Sequence, residues 1–290
     1  MNNTLFIKAG LVLLTVTTLL TAGQLLYNTS NSVSQGDLVI MPRRVMLDPG
    51  KRTQELNLAN TGSDSAKYLI SVVQYRMLKN GSFEEITEPD SGQYFATKNF
   101  RFFPRSVTLG PNESQTIKVQ AINTGELQHG EYRSHLYFRA VPEEASVEDK
   151  NADLPKSVSV KLTPTFGIAI PVIIRSNNTA LNVKLDKPLV TIGTDGIPLL
   201  NMTFNRTGNI SVYGDVKVEY ISATGKITQV GLAKGLAVYT PMPARSLMLK
   251  LDKNSAVDYH KGKLKITYTT SLDSSESKPQ VIASSQIDLF

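Results

Sequence analysis

The stretch SVSVKLTPTFGIAIPVIIR, from Ser157 to Arg175, decides the fold. In its first half Val158, Val160 and Leu162 occupy every second position, with polar residues between them. A period of two is the side-chain period of a β-strand. From Phe166 onward both sets of positions become mainly apolar, which is typical of a strand that is buried on both faces between two packed layers. The stretch therefore predicts β-structure that passes from one module to the next.

Two interpretations of this stretch remain open. It is either the last strand of a β-sandwich followed by a linker, or an exposed edge strand that binds a partner. Buried strands are far commoner than functional edges, so the rest of the chain has to decide. The preceding segment, Pro142 to Lys156, is charged and reads as a solvated hairpin loop. A long loop at this place would leave the start of the strand weakly held.

Length and composition support an all-β, two-domain protein. The chain has 290 residues, which is enough for two domains that each bury a core. Its 41% hydrophobic and 19% charged residues are those of a globular protein. No long segment has the three-to-four-residue apolar spacing of an amphipathic helix, and Asn, Ser and Thr suit strands and turns.

Charge and cysteine content exclude several classes of function. The net charge of +6 comes from 31 basic and 25 acidic residues that are spread along the chain. No basic run is longer than a pair, which argues against nucleic-acid binding. The chain has no cysteine, so a disulfide scaffold and thiolate metal sites are excluded.

The N-terminus indicates export. Lys8 precedes an apolar run from Ala9 to Leu20, and the small residues Thr21-Ala22-Gly23 follow. A positive start, a short apolar core and a small-residue exit describe a secretory signal peptide, here residues 1–23. A polar lead, 24–36, comes next. The alternative is an uncleaved membrane anchor, because Leu25 to Tyr27 prolong the apolar run.

Alternating strands and regular turns predict two immunoglobulin-like β-sandwiches with a cleft between them. Seven strands separated by turns lie between Leu38 and Arg175, among them Gln54 to Asn60, with Leu56 and Leu58 inward, and Phe100 to Leu109. A second series, which includes Leu236 to Tyr239, lies between Leu181 and Leu289. The predicted domains are residues 37–175 and 176–290. Pro42 interrupts the first strand, which we therefore expect to switch sheets part way. Asn80-Gly81 predicts a hairpin.

No catalytic constellation is visible in the sequence. His129, His135 and His260 lie far apart, without the spacing of metal ligands, and His135 lies in a strand where a packed or rim residue is expected. There is no Gly-x-Ser-x-Gly nucleophile elbow. Thr224-Gly225-Lys226 reads as a hairpin turn rather than a phosphate-binding loop. The sequence predicts neither an enzyme nor a metal or cofactor site.

Several phrases together resemble the PapD-like periplasmic chaperones of pilus assembly. They are Arg44 before VMLDPG, FFPRSVTLGPNES (Phe102 to Ser114), GEYRSHLYFRAVP (Gly130 to Pro142), and the alternating strand that leads into the second sandwich. The resemblance covers about residues 37 to 175 well. It is looser in the second module, where FNRTGNISVYGD (Phe204 to Asp215) looks like the divergent branches of that family.

The resemblance implies a chaperone function in the periplasm. Members of this family bind pilin subunits that lack their last strand, lend them an edge strand, and pass them to an outer-membrane usher. The donor segment implied here is Ser157 to Phe166, with Val158, Val160, Leu162 and Phe166 entering the groove of the subunit. Free backbone groups and alternate apolar side chains are what such strand addition needs. Neither ATP nor a cofactor is implied.

The resemblance also implies a site for the C-terminal carboxylate of the subunit. Arg44 matches the anchoring arginine of the first strand, and an arginine can pair with a carboxylate through two hydrogen bonds. The alternative for Arg44 is a solvated charge on a strand edge. The second anchor of the family, a lysine, is replaced here by Phe166 or Gly167. Lys161 and Arg43 are the candidates to substitute for it.

Two other functions would require sequence features different from those of a chaperone. An exported two-domain adhesin or pilus structural subunit would need a polymerising extension, whereas the N-terminal lead is short and polar. An exported sandwich-fold hydrolase or sugar-binding module would need clustered carboxylates or an aromatic platform, and the sequence displays neither.

Overall fold

The computed structural model describes residues 37–128, 130–141, 167–253, 256–271 and 278–290. The predicted signal peptide and the predicted donor residues Val158, Val160, Lys161, Leu162 and Phe166 lie outside these ranges. Within them the regular structure is β-strand, apart from one 3-10 turn at Thr124–Glu126. The predicted all-β fold with two sandwiches is confirmed.

The first sandwich has two main sheets and a small hairpin. One sheet has the order β1-β3-β9-β7, the other β2-β11-β10-β4-β8, and β5 pairs with β6. The strands are β1 (Leu38–Met41), β2 (Val45–Leu47), β3 (Thr53–Asn60), β4 (Ala66–Val73), β5 (Tyr75–Met77), β6 (Phe83–Glu85), β7 (Phe100–Phe103), β8 (Ser106–Leu109), β9 (Ser114–Ala121), β10 (Glu131–Val141) and β11 (Gly167–Arg175).

Two strands change sheet at a proline. The chain leaves β1 in one sheet, passes Pro42 and enters β2 in the other, as the sequence predicts. The segment Phe100 to Leu109, predicted as one strand, behaves in the same way. It breaks at Pro104 into β7 and β8, which belong to different sheets, because proline cannot donate a backbone hydrogen bond within a ladder.

Strand β11 is apolar on both faces because it packs against two cores. Val172 and Ile174 belong to the core of the first sandwich. Ile173, between them, faces the other way and packs with Ala237 and Tyr239 of the second sandwich. All three side chains are at most 1% exposed. The apolar run in β11 therefore forms part of the contact between the two sandwiches.

The second sandwich consists of a three-stranded sheet, β12-β13-β16, and a four-stranded sheet, β15-β14-β17-β18. Its central side chains include Phe204 and Tyr268, whose rings meet edge to face at 5.1 Å. The strands are β12 (Leu181–Ile192), β13 (Pro198–Gly208), β14 (Val212–Ile221), β15 (Ile227–Val238), β16 (Ala244–Lys250), β17 (Lys263–Thr270) and β18 (Val281–Asp288).

Strand β15 is much longer than the sequence predicts. Only Leu236 to Tyr239 was expected there, whereas the strand begins at Ile227. Two shifts of register occur in its pairing with β14. Because a bulge changes which positions point inward, the period of two is lost and the sequence pattern does not reveal the first half of the strand.

A buried carboxylate joins the two sandwiches. Glu131, at the start of β10, is 2% exposed. It accepts hydrogen bonds from Nε and Nη2 of Arg175, both at 3.2 Å. The backbone N–H of Ser211 donates to it at 3.0 Å, and the Ser211 hydroxyl forms a further short hydrogen bond. Arg175 Nη2 also donates to the Ser211 carbonyl at 2.8 Å, so both partners of the ion pair contact the second sandwich.

Removal of this carboxylate should destabilise the protein strongly. We expect Glu131→Ala to lower the free energy of unfolding by about 3–5 kcal/mol, because it leaves the Arg175 charge and the Ser211 donors without their partner. The measurement is urea denaturation followed by circular dichroism. The matched control is Asp288→Ala, which removes a carboxylate that pairs with Lys263 on the surface at 3.5 Å and should cost less than about 1 kcal/mol. Equal effects of the two changes would contradict a structural role for Glu131.

Candidate binding cleft

A cavity of about 550 Å³ lies between the two sandwiches. Among the described residues that line it, none is acidic and four are basic, two from each sandwich. They are Arg43, Arg44, Lys234 and Arg245. A basic cavity without carboxylates favours an anionic ligand. We call this cavity the cleft.

Arg44 lies in the cleft directly before β2. Its side chain is 7% exposed, and its Cζ is 4.1 Å from the centroid of the Tyr213 ring. Its Nε is enclosed and has no hydrogen-bond partner among the described residues. The interpretation of Arg44 as a solvated edge charge is therefore wrong.

Gln54 holds the backbone that presents Arg44. Its side-chain amide donates to the Arg44 carbonyl at 3.3 Å, and its side-chain oxygen accepts from the Met46 N–H at 3.0 Å. The side chain thus bridges both backbone groups where β2 begins. The position of Arg44 is consequently fixed from β3, within the same sandwich.

A second buried arginine lies behind the cleft wall. Arg133 on β10 is 2% exposed, and its Nη2 donates to the carbonyl of Thr240 at 3.2 Å. Its Cζ is 4.1 Å from the Tyr239 ring centroid, and its Nε and Nη1 have no partner among the described residues. Burial lowers the pKa of Arg133, Tyr239 and Glu131 raise it, and the charge of Arg44 lowers it again.

His135 adds an aromatic wall rather than a charge. It is 4% exposed, and its ring lies 5.1 Å from Tyr75 and 6.2 Å from Phe83. Burial, followed by the charge of Arg133, lowers the pKa of His135 to about 3. The imidazole is therefore neutral near pH 7, and the cations of the cleft are its lysine and arginine residues.

Arg245 reaches the cleft from β16 of the second sandwich. Its Nη1 donates to the Ala237 carbonyl at 2.6 Å, while its Nε is enclosed and has no partner among the described residues. Lys234 and Arg43, in contrast, have exposed side chains at the mouth of the cleft. Arg43 and Arg44, both predicted from the sequence, line the cleft, and His135 is packed in a strand as expected, whereas the sequence did not single out Arg245 or Lys234.

An open strand edge adjoins the cleft. β11 pairs with β10 along its whole length, from Gly167 to Arg175. On its other side β2 pairs only with Val172–Ile174. In the described ranges no strand pairs with that edge of β11 from Gly167 to Pro171, and Pro171 itself lines the cleft. Backbone groups on such an edge can accept an additional strand.

The described parts of the chain hold no cluster of three or more His, Cys, Asp or Glu side chains that could bind a metal ion. In the same ranges, no helix has the length and hydropathy needed to span a membrane.

Comparison with known proteins gives similarity to solved structures only. No protein-family model matches the sequence, and no curated protein matches it. The chain is similar to the Pseudomonas aeruginosa CupB2 chaperone, with a TM-score of 0.42 and 13% identity over 87% of this chain and 100% of that one.

Two further similar structures are also chaperones. The CsuC–CsuE complex of a chaperone and a tip subunit, from archaic chaperone-usher pili of Acinetobacter baumannii, gives a TM-score of 0.41 and 12% identity over 85% of this chain and 98% of that one. The E. coli chaperone DraB gives 0.40 and 12%, over 87% and 96%. All three similarities cover at least 85% of this chain, at 12–13% identity.

Proposed function

We propose that this protein is a non-enzymatic periplasmic chaperone of pilus subunits. It binds the C-terminal carboxylate of a subunit in the cleft, lends Ser157 to Phe166 as a strand to the incomplete sandwich of that subunit, and delivers the subunit to an outer-membrane usher. Its partners are pilin or pilin-like subunits and the usher, and it needs no cofactor.

The observation that carries this proposal is the buried guanidinium of Arg44 in a cleft without acidic residues. A buried cation without a counter-ion is unfavourable, and a carboxylate relieves it through two charge-assisted hydrogen bonds. Such a bond contributes about 1.5–3 kcal/mol. The site therefore suits a small planar anion such as the end of a polypeptide chain.

The open edge of β11 supplies the second half of the recognition. A chain whose last carboxylate lies at Arg44 can continue alongside Gly167 to Pro171 and pair with the free backbone groups there. The predicted donor residues precede this edge directly in the sequence. Each apolar side chain buried in the subunit would contribute about 1.5–3 kcal/mol before the costs of association. The carboxylate would set the register and the strand would supply most of the buried area.

Loss of Arg44 should weaken capture of a subunit. We expect Arg44→Ala to reduce the affinity for a pilin subunit encoded by a neighbouring gene by about 10- to 100-fold, since one charge-assisted pair is lost. The measurement is the yield of the complex after co-expression in a bacterial periplasm. The matched control is Arg101→Ala, which removes an exposed arginine that binds Gln120 on β9. If both variants retain the subunit equally, Arg44 does not anchor it.

The donor segment can be tested separately. We expect the double change Val160→Asp and Leu162→Asp to abolish co-purification of the subunit, because two charged groups cannot enter an apolar groove. Circular dichroism and thermal unfolding should match those of the unchanged protein. Val281→Asp, at a 65% exposed position on β18, is the control for adding an acidic group to an apolar strand position. Undiminished binding by the double variant would refute strand donation by this segment.

A further inference from the structure

We propose that Arg245, in the second sandwich, is the second cation of the carboxylate site. This inference rests on the proposed function and adds to it that the two sandwiches each contribute one guanidinium to the same anion. The lysine implied by the family resemblance is missing at Phe166 and Gly167. Arg245 takes over its role from a different part of the chain.

Unsatisfied nitrogen atoms concentrate in and behind this cleft. Most of the buried side-chain atoms without a partner, among the described residues, belong to Arg44, Arg133, His135 and Arg245. Arg44 and Arg245 line the same cavity from opposite sandwiches, and neither Nε has an acceptor among the described residues. A guanidinium carries five N–H donors, so each group has donors left for a carboxylate that lies in the cavity between them.

The first sandwich holds Arg245 in place through its β5–β6 hairpin. The Ser246 N–H donates to the Lys79 carbonyl at 2.7 Å, which docks the hairpin on β16. Gly81 in that hairpin has a φ of 86°, and a Cβ at this position would overlap the Arg245 guanidinium. Glycine is therefore needed both for the turn and for the close approach of the arginine.

The other two basic residues of the cleft are less suited to this role. Arg43 and Lys234 are exposed, so water already solvates their charges and a carboxylate gains little from them. Arg245 is partly buried, and this burial lowers its pKa. A carboxylate bound beside Arg245 would stabilise its partly buried positive charge. The role of the missing lysine is therefore assigned to Arg245 rather than to Arg43.

The test uses two peptides that differ only at the C-terminus. Both are acetylated hexapeptides of alternating threonine and valine that end in phenylalanine, one as the free acid and one as the amide. Calorimetric titration gives the ratio of their affinities for the full-length protein. For the unchanged protein we expect the acid to bind at least tenfold more tightly. Arg245→Gln should reduce that ratio to near one third or less of its value. Arg43→Gln and Lys234→Gln, which change exposed cations at the mouth of the cleft, should reduce it less, and Arg101→Gln, outside the cleft, should preserve it.

The outcomes separate this inference from the proposed function. If the unchanged protein binds acid and amide equally, carboxylate capture itself fails, and this inference fails with it. If the unchanged protein prefers the acid and Arg245→Gln keeps the full preference, Arg245 is not an anchor while the proposed function stands. If thermal unfolding shows that Arg245→Gln is less stable than the unchanged protein, the titrations are repeated with Arg245→Met, which retains the apolar part of the side chain. A full acid preference in that variant would equally overturn the assignment.

Discussion

The interface between the sandwiches contains buried arginine side chains that form no salt bridge with a carboxylate of the described residues. Arg44 and Arg133 are almost completely buried, and Arg245 joins them from the other side. The rings of Tyr213 and Tyr239 and several carbonyl groups lower the cost of this burial through cation–π contacts and hydrogen bonds. They do not neutralise the charge. A bound anion would therefore stabilise the positive charges in the cleft.

The same interface contains Glu131, a buried carboxylate that is hydrogen-bonded within the protein. Its role in stability differs from the role in binding that we propose for the cleft. Glu131 receives hydrogen bonds from Arg175 and from both the backbone and the hydroxyl of Ser211. Both of its oxygens accept hydrogen bonds within the protein, and the residue is only 2% exposed. The arginines of the cleft have donors left over. Glu131 therefore holds the sandwiches together, and the cleft between them remains available for binding.

Local sequence pattern predicts the elements that keep a regular period or carry a turn signal. Alternation identified β3, with Leu56 and Leu58 both 0% exposed, and the Asn80-Gly81 pair identified the β5–β6 hairpin. It failed at β15, where bulges break the period, and at Phe100 to Leu109, where Pro104 separates two sheets. For the site, Arg44 was identified by its motif. Arg245 was missed because about two hundred residues separate it from Arg44, and only the packing of one sandwich on the other brings the two together.

One break in the first strand accounts for both halves of the proposed binding surface. The chain leaves β1 at Pro42 and re-enters the other sheet only at Val45. Because β2 is then just three residues long, it covers β11 from Val172 to Ile174 and leaves the preceding edge unpaired. The residue directly before this short strand is Arg44, so its side chain lies where the covered edge ends and the open edge begins. The break at Pro42 therefore sets the position of the open edge and of the proposed anion site together.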